Sequence, residues 1–305
     1  KEGAKRTRPF DFQQHLYNQS HPDIVKFLQR LRELTDRYGD RFTLAEVGGE
    51  HALLEMQAFT SGADRLNSAY GFDFLYAEAL TPELVARVAE SWPEDSGWPS
   101  WAFENHDAPR AITRWAKAEH RDTFARTKIL LLSCLRGSII LYQGEELGLP
   151  QVDVPFERLQ DPEAIANWPQ TLSRDGARTP MAWSSSAANL GFSSGTPWLP
   201  PGNGHGELAV DRQEADHDSL LAFTRECLRL RRTHQALRRG SMRIVEAGEQ
   251  LLVFERSDGS ERLRCTFNLS NRSASFTRSG KSLIEAGGID DAQVKPYAGI
   301  IEELE

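Results

Sequence analysis

Phe42-Thr43-Leu44-Ala45-Glu46-Val47-Gly48-Gly49 is the stretch on which the fold turns. Its first half is a short alternating run that reads as a buried strand, and a carboxylate, Glu46, stands at the end of the run, ahead of two glycines. Upstream, Ile24, Phe27, Leu28, Leu31 and Leu34 recur at helical spacing, which predicts one amphipathic helix over Ser20–Tyr38, closed by Gly39. Downstream the same succession returns. A helix is expected from about Glu50, a strand over Tyr70–Leu75, a helix opened by Thr81 and Pro82, a strand over Trp101–Phe103, a helix over Arg121–Leu135 and a strand over Ser138–Tyr142. Strand-like runs about thirty residues apart, with helices between them, are the signature of βα units and a parallel sheet. Four units can be counted, whereas a closed barrel of this kind takes eight. The fold class expected is therefore α/β, half of a (β/α)8 TIM barrel. In such barrels catalytic groups collect at the C-terminal ends of strands, which is where Glu46 and Asp107 fall.

Composition narrows the function. The 305 residues are 39% hydrophobic and 26% charged, the make-up of an ordinary globular protein and not of a long disordered one. A formal net charge of -8 repels polyphosphate, so nucleic acid is not an expected partner. The one basic concentration, Arg225–Arg239, overlaps an apolar stripe of Leu220, Leu221, Phe223, Leu228 and Leu230, and reads as a helix with its arginines in solvent. Cys134, Cys227 and Cys265 have no metal-ligand spacing and imply no disulfide framework, which fits a reducing compartment. The longest apolar run, Ile129–Leu141, is broken by Ser133, Arg136, Gly137 and Ser138, so no membrane span is expected. Lys1–Pro9 is basic without an apolar core and reads as a loop, not a signal peptide. The compartment expected is the cytoplasm, with the periplasm as the alternative.

From Asn167 to Gly206 the chain is rich in Pro, Gly, Ser and Trp without a sustained period, which predicts long loops of the kind that shape a site. Trp183 and Trp198 in this region read first as pins that hold loops to the barrel, with stacking on a sugar as the alternative. Glu214–Arg239 returns to helix. Beyond Ser241 short alternating runs, Leu251–Glu255 and Leu263–Leu269 around Ser257-Asp258-Gly259-Ser260, predict a hairpin within a small antiparallel β-sandwich domain. The division expected is 1–239 for the barrel part, including long active-site loops at 150–213, and 240–305 for the β domain.

Cleaving a glycosidic bond takes a proton donor for the leaving oxygen and a group to stabilise or capture the oxocarbenium-like centre, work for paired carboxylates. Taken singly, Glu46 and Asp107 read more readily as helix caps or arginine partners. Their surroundings decide. Thr43-Leu44-Ala45-Glu46-Val47-Gly48-Gly49 resembles the acid/base strand of the α-amylase family of glycoside hydrolases, and Phe103-Glu104-Asn105-His106-Asp107-Ala108-Pro109-Arg110 resembles its later Asn-His-Asp segment. Tyr142-Gln143-Gly144-Glu145-Glu146-Leu147-Gly148 is similar to the segment closing the eighth barrel strand, which implies that the four units are the C-terminal half of the (β/α)8 TIM barrel. Ser173-Arg174-Asp175-Gly176-Ala177-Arg178-Thr179-Pro180-Met181-Ala182-Trp183 is similar to one seen in bacterial α-glucosidases and oligo-1,6-glucosidases. The likeness continues through Gly191–Pro200 and Asp218–Leu221 and weakens in the final β domain.

The resemblance implies a retaining α-glucosidase that removes terminal α-linked glucose from short oligosaccharides such as maltose, with transglucosylation. Glu46 would be the general acid/base and Asp107 the third carboxylate, binding sugar hydroxyls and distorting the ring. His106 would bind the same sugar, Arg174 would recognise its non-reducing end, and Arg178 would assist there or hold the loop. The family nucleophile, an aspartate in a Gly-Phe-Arg-x-Asp context ahead of the acid/base strand, has no counterpart here; Asp11 lacks both the arginine and a preceding strand. Glu145 and Glu146 would orient loop backbone or an arginine. No metal or cofactor site is expected on this chain, although a structural divalent cation could belong to the N-terminal half. That half, in the same or a companion chain, is the expected partner beside the α-glucoside, and the chain is expected to be one piece of a longer polypeptide. The alternatives are a sucrose isomerase or glucosyltransferase of the same family, and a non-catalytic glucosidase-like scaffold subunit.

Overall fold

The structure, a computed structural model, describes residues 9–13, 15, 17–92, 97–171 and 173–305. Of the basic stretch Lys1–Pro9, only Pro9 lies within them. Helix α1 (Ile24–Thr35) leads to strand β1 (Leu44–Glu46), and the pattern repeats as α2 (Ala52–Thr60), β2 (Ser68–Tyr70), α3 (Pro82–Glu90), β3 (Ser100–Ala102), the short α4 (Ala111–Trp115), α5 (Arg121–Cys134) and β4 (Ser138–Ile140). The strands are parallel and neighbour one another in chain order. Leu44–Glu46 pair with Ser68–Tyr70, Ala69 bridges Pro99 at the head of β3, and Ser100–Ala102 pair with Ser138–Ile140. This is a run of four adjacent strands of a TIM barrel.

Two local rules place the second strand differently from the sequence expectation over Tyr70–Leu75. Pairing begins at Ser68, whose hydroxyl lies 2.6 Å from that of Ser100 and seals β2 to β3 with polar atoms that no apolar pattern reveals. It stops at Tyr70, and the next residue, Gly71, lies against Met56, whose Cε would stand 2.9 Å from a Cβ there. Phe74 and Leu75 are buried, but in the turn beyond the strand. Helix α3 starts as its sequence dictates, with Thr81 Oγ1 accepting the Leu84 N–H at 3.1 Å and Pro82 in the first turn.

Ten of the 14 residues of α5 are buried, including Thr127, Lys128 and Ser133, so this helix is packed nearly all round. The C-terminal elements supply its outer cover. After α6 (Pro162–Asn167) and α7 (Val210–Glu214) come α8 (Leu220–Thr233) and α9 (Gln235–Arg239), and then β5 (Ser241–Ala247), β6 (Leu251–Ser257), β7 (Arg262–Asn268), β8 (Ala274–Ser275), β9 (Lys281–Ala286), β10 (Gln293–Val294) and β11 (Gly299–Glu303). Five strands form an antiparallel sheet in the order β5-β6-β7-β11-β9, and β8 pairs with β10. Helix α5 packs on α8, β7, β9 and β11, so one apolar core runs from Phe103 and Ile129 through Phe223 and Cys227 to Phe254 and Cys265.

The basic helix corrects one expectation. Arg225, Arg229 and Arg232 face solvent, but Arg231 turns inward and donates to the carbonyls of Ser133 at 2.7 Å, Leu135 at 3.1 Å and Gly137, while Leu228 is exposed instead. Carbonyls left open at the end of α5 need donors when buried, and a guanidinium can serve several at once. The fully buried Arg256 does the same from β6, reaching Cys134 O at 2.5 Å, Gly240 O at 2.9 Å and Ser241 O at 3.0 Å.

Candidate active site

Glu46 ends β1 with its side chain exposed, Tyr70 ends β2, and Asn105, His106 and Asp107 follow β3. The parallel strands thus bring side chains distant in sequence to one edge of the sheet. Asn105, nearly buried, ties them together: its Nδ2 donates to Glu46 Oε1 at 3.2 Å, and its Oδ1 accepts the N–H groups of Asp107 at 2.9 Å and Ala108 at 2.8 Å. The Tyr70 hydroxyl hydrogen-bonds to Glu46, and burial together with that carboxylate pushes its pKa well above the ordinary phenol value. Tyr70 therefore stays protonated and remains a donor to Glu46.

Asp107 receives three groups on one oxygen. Arg178 Nη2 lies 2.6 Å, Arg174 Nη1 3.4 Å and His106 Nε2 3.6 Å from Oδ1. The two arginines stand at either end of a single helical turn, Arg174–Ala177, opened by Ser173 Oγ accepting the Asp175 N–H at 3.0 Å. Gly176 within it lies against the neighbouring backbone; a Cβ there would stand 2.2 Å from Val152 O, so only glycine fits. Ala177 O accepts from Arg110 Nη2 and from the Tyr142 hydroxyl, both at 3.1 Å, and Arg178 Nε reaches His106 O at 2.7 Å. The structure thus brings together all five residues singled out in the sequence, and Arg178 both touches Asp107 and holds the loop. Asp161 was missed. It binds Arg174 through both carboxylate oxygens, with Nε at 2.9 Å and Nη2 at 2.7 Å.

Beneath the site lies a buried charge cluster. Lys128 of α5 donates to Glu104 Oε1 at 3.1 Å and Glu145 Oε1 at 2.6 Å, and Arg110 Nη1 lies 3.3 Å from Glu104 Oε2. Glu145 also accepts the Tyr142 N–H at 3.1 Å, as a carboxylate orienting loop backbone should, though its cation is a lysine. Gly144, at φ +84°, makes that reversal possible; a Cβ would meet Leu149 Cδ1 at 2.6 Å. Burial raises Glu104, but Lys128 and Arg110 outweigh it and hold its pKa below the usual carboxylate value. Glu145 shares Lys128, and burial with the Glu104 charge pushes it up to about 7. A raised folded-state pKa favours the native state below the unfolded value and loses that contribution as pH climbs through the folded one. Stability from Glu145 should therefore decline between pH 4.5 and about 7. Glu145→Gln should flatten this decline by on the order of 1–3 kcal/mol, read from urea midpoints at the two ends of the window.

Trp183 and Trp198 depart from their expected role as loop pins. They are 52% and 62% exposed and, with Phe192 and Met181, line a cleft of about 460 Å³ whose polar wall includes Arg178 and Glu146. Among the described residues no group of three or more His, Cys, Asp or Glu side chains could hold a metal ion, and no helix is long and apolar enough to cross a membrane.

Glu46 and Asp107, the latter met by two arginines, stand at the C-terminal edge of a parallel barrel sheet, the edge at which barrel enzymes carry their catalytic groups. The chain belongs to the α-amylase family: residues 3–240 match its catalytic domain. A probable α-glucosidase of Rhizobium meliloti is 40% identical over 277 residues, 89% of this chain and 50% of that protein. An oligo-1,6-glucosidase of Heyndrickxia coagulans is 29% identical over 95% of this chain and 59% of its own length. Among solved structures, an α-glucosyl transfer enzyme, XgtA, superposes with a TM-score of 0.88 at 36% identity, over 97% of this chain and 57% of its own. The trehalulose synthase MutB of Pseudomonas mesoacidophila MX-45 shares the fold, with a TM-score of 0.83 at 22% identity over 94% of this chain and 59% of its own. The chain spans about half the length of the curated relatives it matches.

Proposed function

We propose that this chain is the acid/base half of a retaining α-glucosidase that releases terminal glucose from short α-linked oligosaccharides such as maltose. The observation that carries the reading is the Asn105 bridge, which fixes Glu46 and Asp107 to one another at the sheet edge. Glu46 protonates the glycosidic oxygen as the bond to the anomeric carbon breaks, and an aspartate on a preceding barrel strand captures that carbon. Glu46, now ionised, takes a proton from water, whose oxygen displaces the aspartate and releases glucose with its configuration retained. An acceptor sugar in place of water gives transglucosylation, which the 36% identity to a glucosyl transfer enzyme supports. Asp107, Arg174, Arg178 and His106 bind the hydroxyls of the cleaved unit. The preceding half of the barrel is supplied by the same polypeptide or a companion chain; the exposed Phe42 and Leu44 at β1 and Phe27 of α1 suit such a neighbour. The three free, buried cysteines agree with a cytoplasmic setting.

The test is hydrolysis of maltose by the complete polypeptide, followed by NMR of the anomer first released. Initial α-glucose supports the reading; β-glucose or no turnover removes it. Asp107→Asn should lower kcat by about 10–100-fold with a smaller change in KM, since charge-assisted bonds of roughly 1.5–3 kcal/mol are lost. An unchanged kcat would sink the role of Asp107.

A further inference from the structure

Arg174 is held from behind. Its Nε and Nη2 form a two-pronged contact with Asp161 at 2.9 and 2.7 Å, and its own backbone N–H donates to Asp161 Oδ2 at 3.0 Å. Only Nη1 points forward, to Asp107 at 3.4 Å. Asp161 is itself immobilised. It is 2% exposed, caps α6 by accepting the Glu163 N–H at 3.1 Å, and donates its N–H to Asp175 Oδ2 at 2.9 Å; the same oxygen accepts the Gln160 N–H at 2.7 Å. Arg174 and Asp161 thus lie on two loop segments that clamp each other, one through a carboxylate on a guanidinium, the other through a carboxylate on backbone amides.

We propose that Asp161 is a positioning residue that sets the plane of the Arg174 guanidinium so that one prong alone faces the sugar site. The inference rests on the glucosidase reading above, in which Arg174 contacts the terminal glucose. Charge balance accounts for the pairing, since Asp107 already has Arg178 at 2.6 Å and the buried Asp161 takes Arg174, but it does not require the two-pronged geometry. What Asp161 adds is direction. A planar fork gripped on two nitrogens has its third nitrogen fixed in space, whereas a free arginine would have to be ordered by each incoming substrate. The Arg174 contact pulls the Asp161 pKa down to about 2, so the grip persists across the working pH range.

Asp161→Asn in the complete enzyme is the informative change, since the amide oxygen can still cap α6 while the second prong is lost. The expected result is a rise of about tenfold in KM for maltose, with kcat within about threefold of wild type. In an Arg174→Ala background the same substitution should add less than about twofold. A purely structural role would move thermal stability and leave KM unchanged, or cost the same factor in both backgrounds, and either result overturns the proposal. Should Asp161→Asn not fold, Arg174→Lys, which keeps the charge but not the fork, should raise KM alike; an unchanged KM overturns the proposal too. A wild-type protein without maltose turnover removes the glucosidase reading, whereas an active wild type with indifferent variants removes this inference alone.

Discussion

Glu46→Gln should lower kcat on maltose by about 10²–10⁴-fold while leaving KM near that of the wild type. The amide keeps the shape of the carboxylate and can still accept from Asn105 Nδ2, so the site should bind substrate in the same pose. What disappears is the proton. In the first step the glucose leaving from maltose departs as a poor alkoxide unless protonated, so bond cleavage slows. With p-nitrophenyl α-glucoside the leaving phenolate needs little help, and the first step should be far less impaired than with maltose. Comparing the two substrates separates loss of the acid from general damage to the site. Near-normal maltose turnover, or an equal loss of kcat/KM on both substrates, would refute Glu46 as the acid; kcat itself can fall on both, because Glu46 also serves as the base of the shared second step.

The parallel sheet was legible because its strands are short apolar runs at regular spacing, whereas the site was legible through the resemblance of the segments around Glu46 and Asp107 to family motifs, position at the strand ends being compatible with it. Glu46 ends a strand, and Asp107 stands in the loop that follows one. Tyr70 escaped notice as a site residue because its own strand was expected to begin, not end, there. Asp161 escaped for a different reason. It meets Arg174 across loop segments without periodicity, and nothing in the spacing of 13 residues pairs them. A signal was nevertheless present in Asp161-Pro162, a helix start whose capping carboxylate turns out to serve an arginine as well. Arg231 and Arg256 show the limit of reading arginine as surface: each is drawn inward by carbonyls at the end of α5, which the local sequence does not announce.

Lys128 carries the second large effect. Lys128 lies in the buried part of α5, where a cation needs buried negative partners, and two carboxylates supply them. Lys128→Met retains the apolar stem but leaves Glu104 and Glu145 with only the Arg110 charge between them, which should cost about 3–5 kcal/mol of stability. The sign with pH follows from the same charges. Without the lysine both carboxylates should titrate higher in the folded state than in the unfolded one, so the variant should be least impaired in mild acid, where both can be protonated, and most impaired above neutrality. Adding Glu145→Gln should restore part of the loss, because one buried charge then goes with the lysine. Urea midpoints at pH 5 and pH 8 distinguish this from simple loss of packing, which would lower both midpoints equally. Activity should suffer as well, since Glu104 directly precedes Asn105, the residue that joins Glu46 to Asp107. The charge cluster under the sheet edge is thus expected to steady the Asn105 link between the Glu46 carboxylate and the backbone of Asp107.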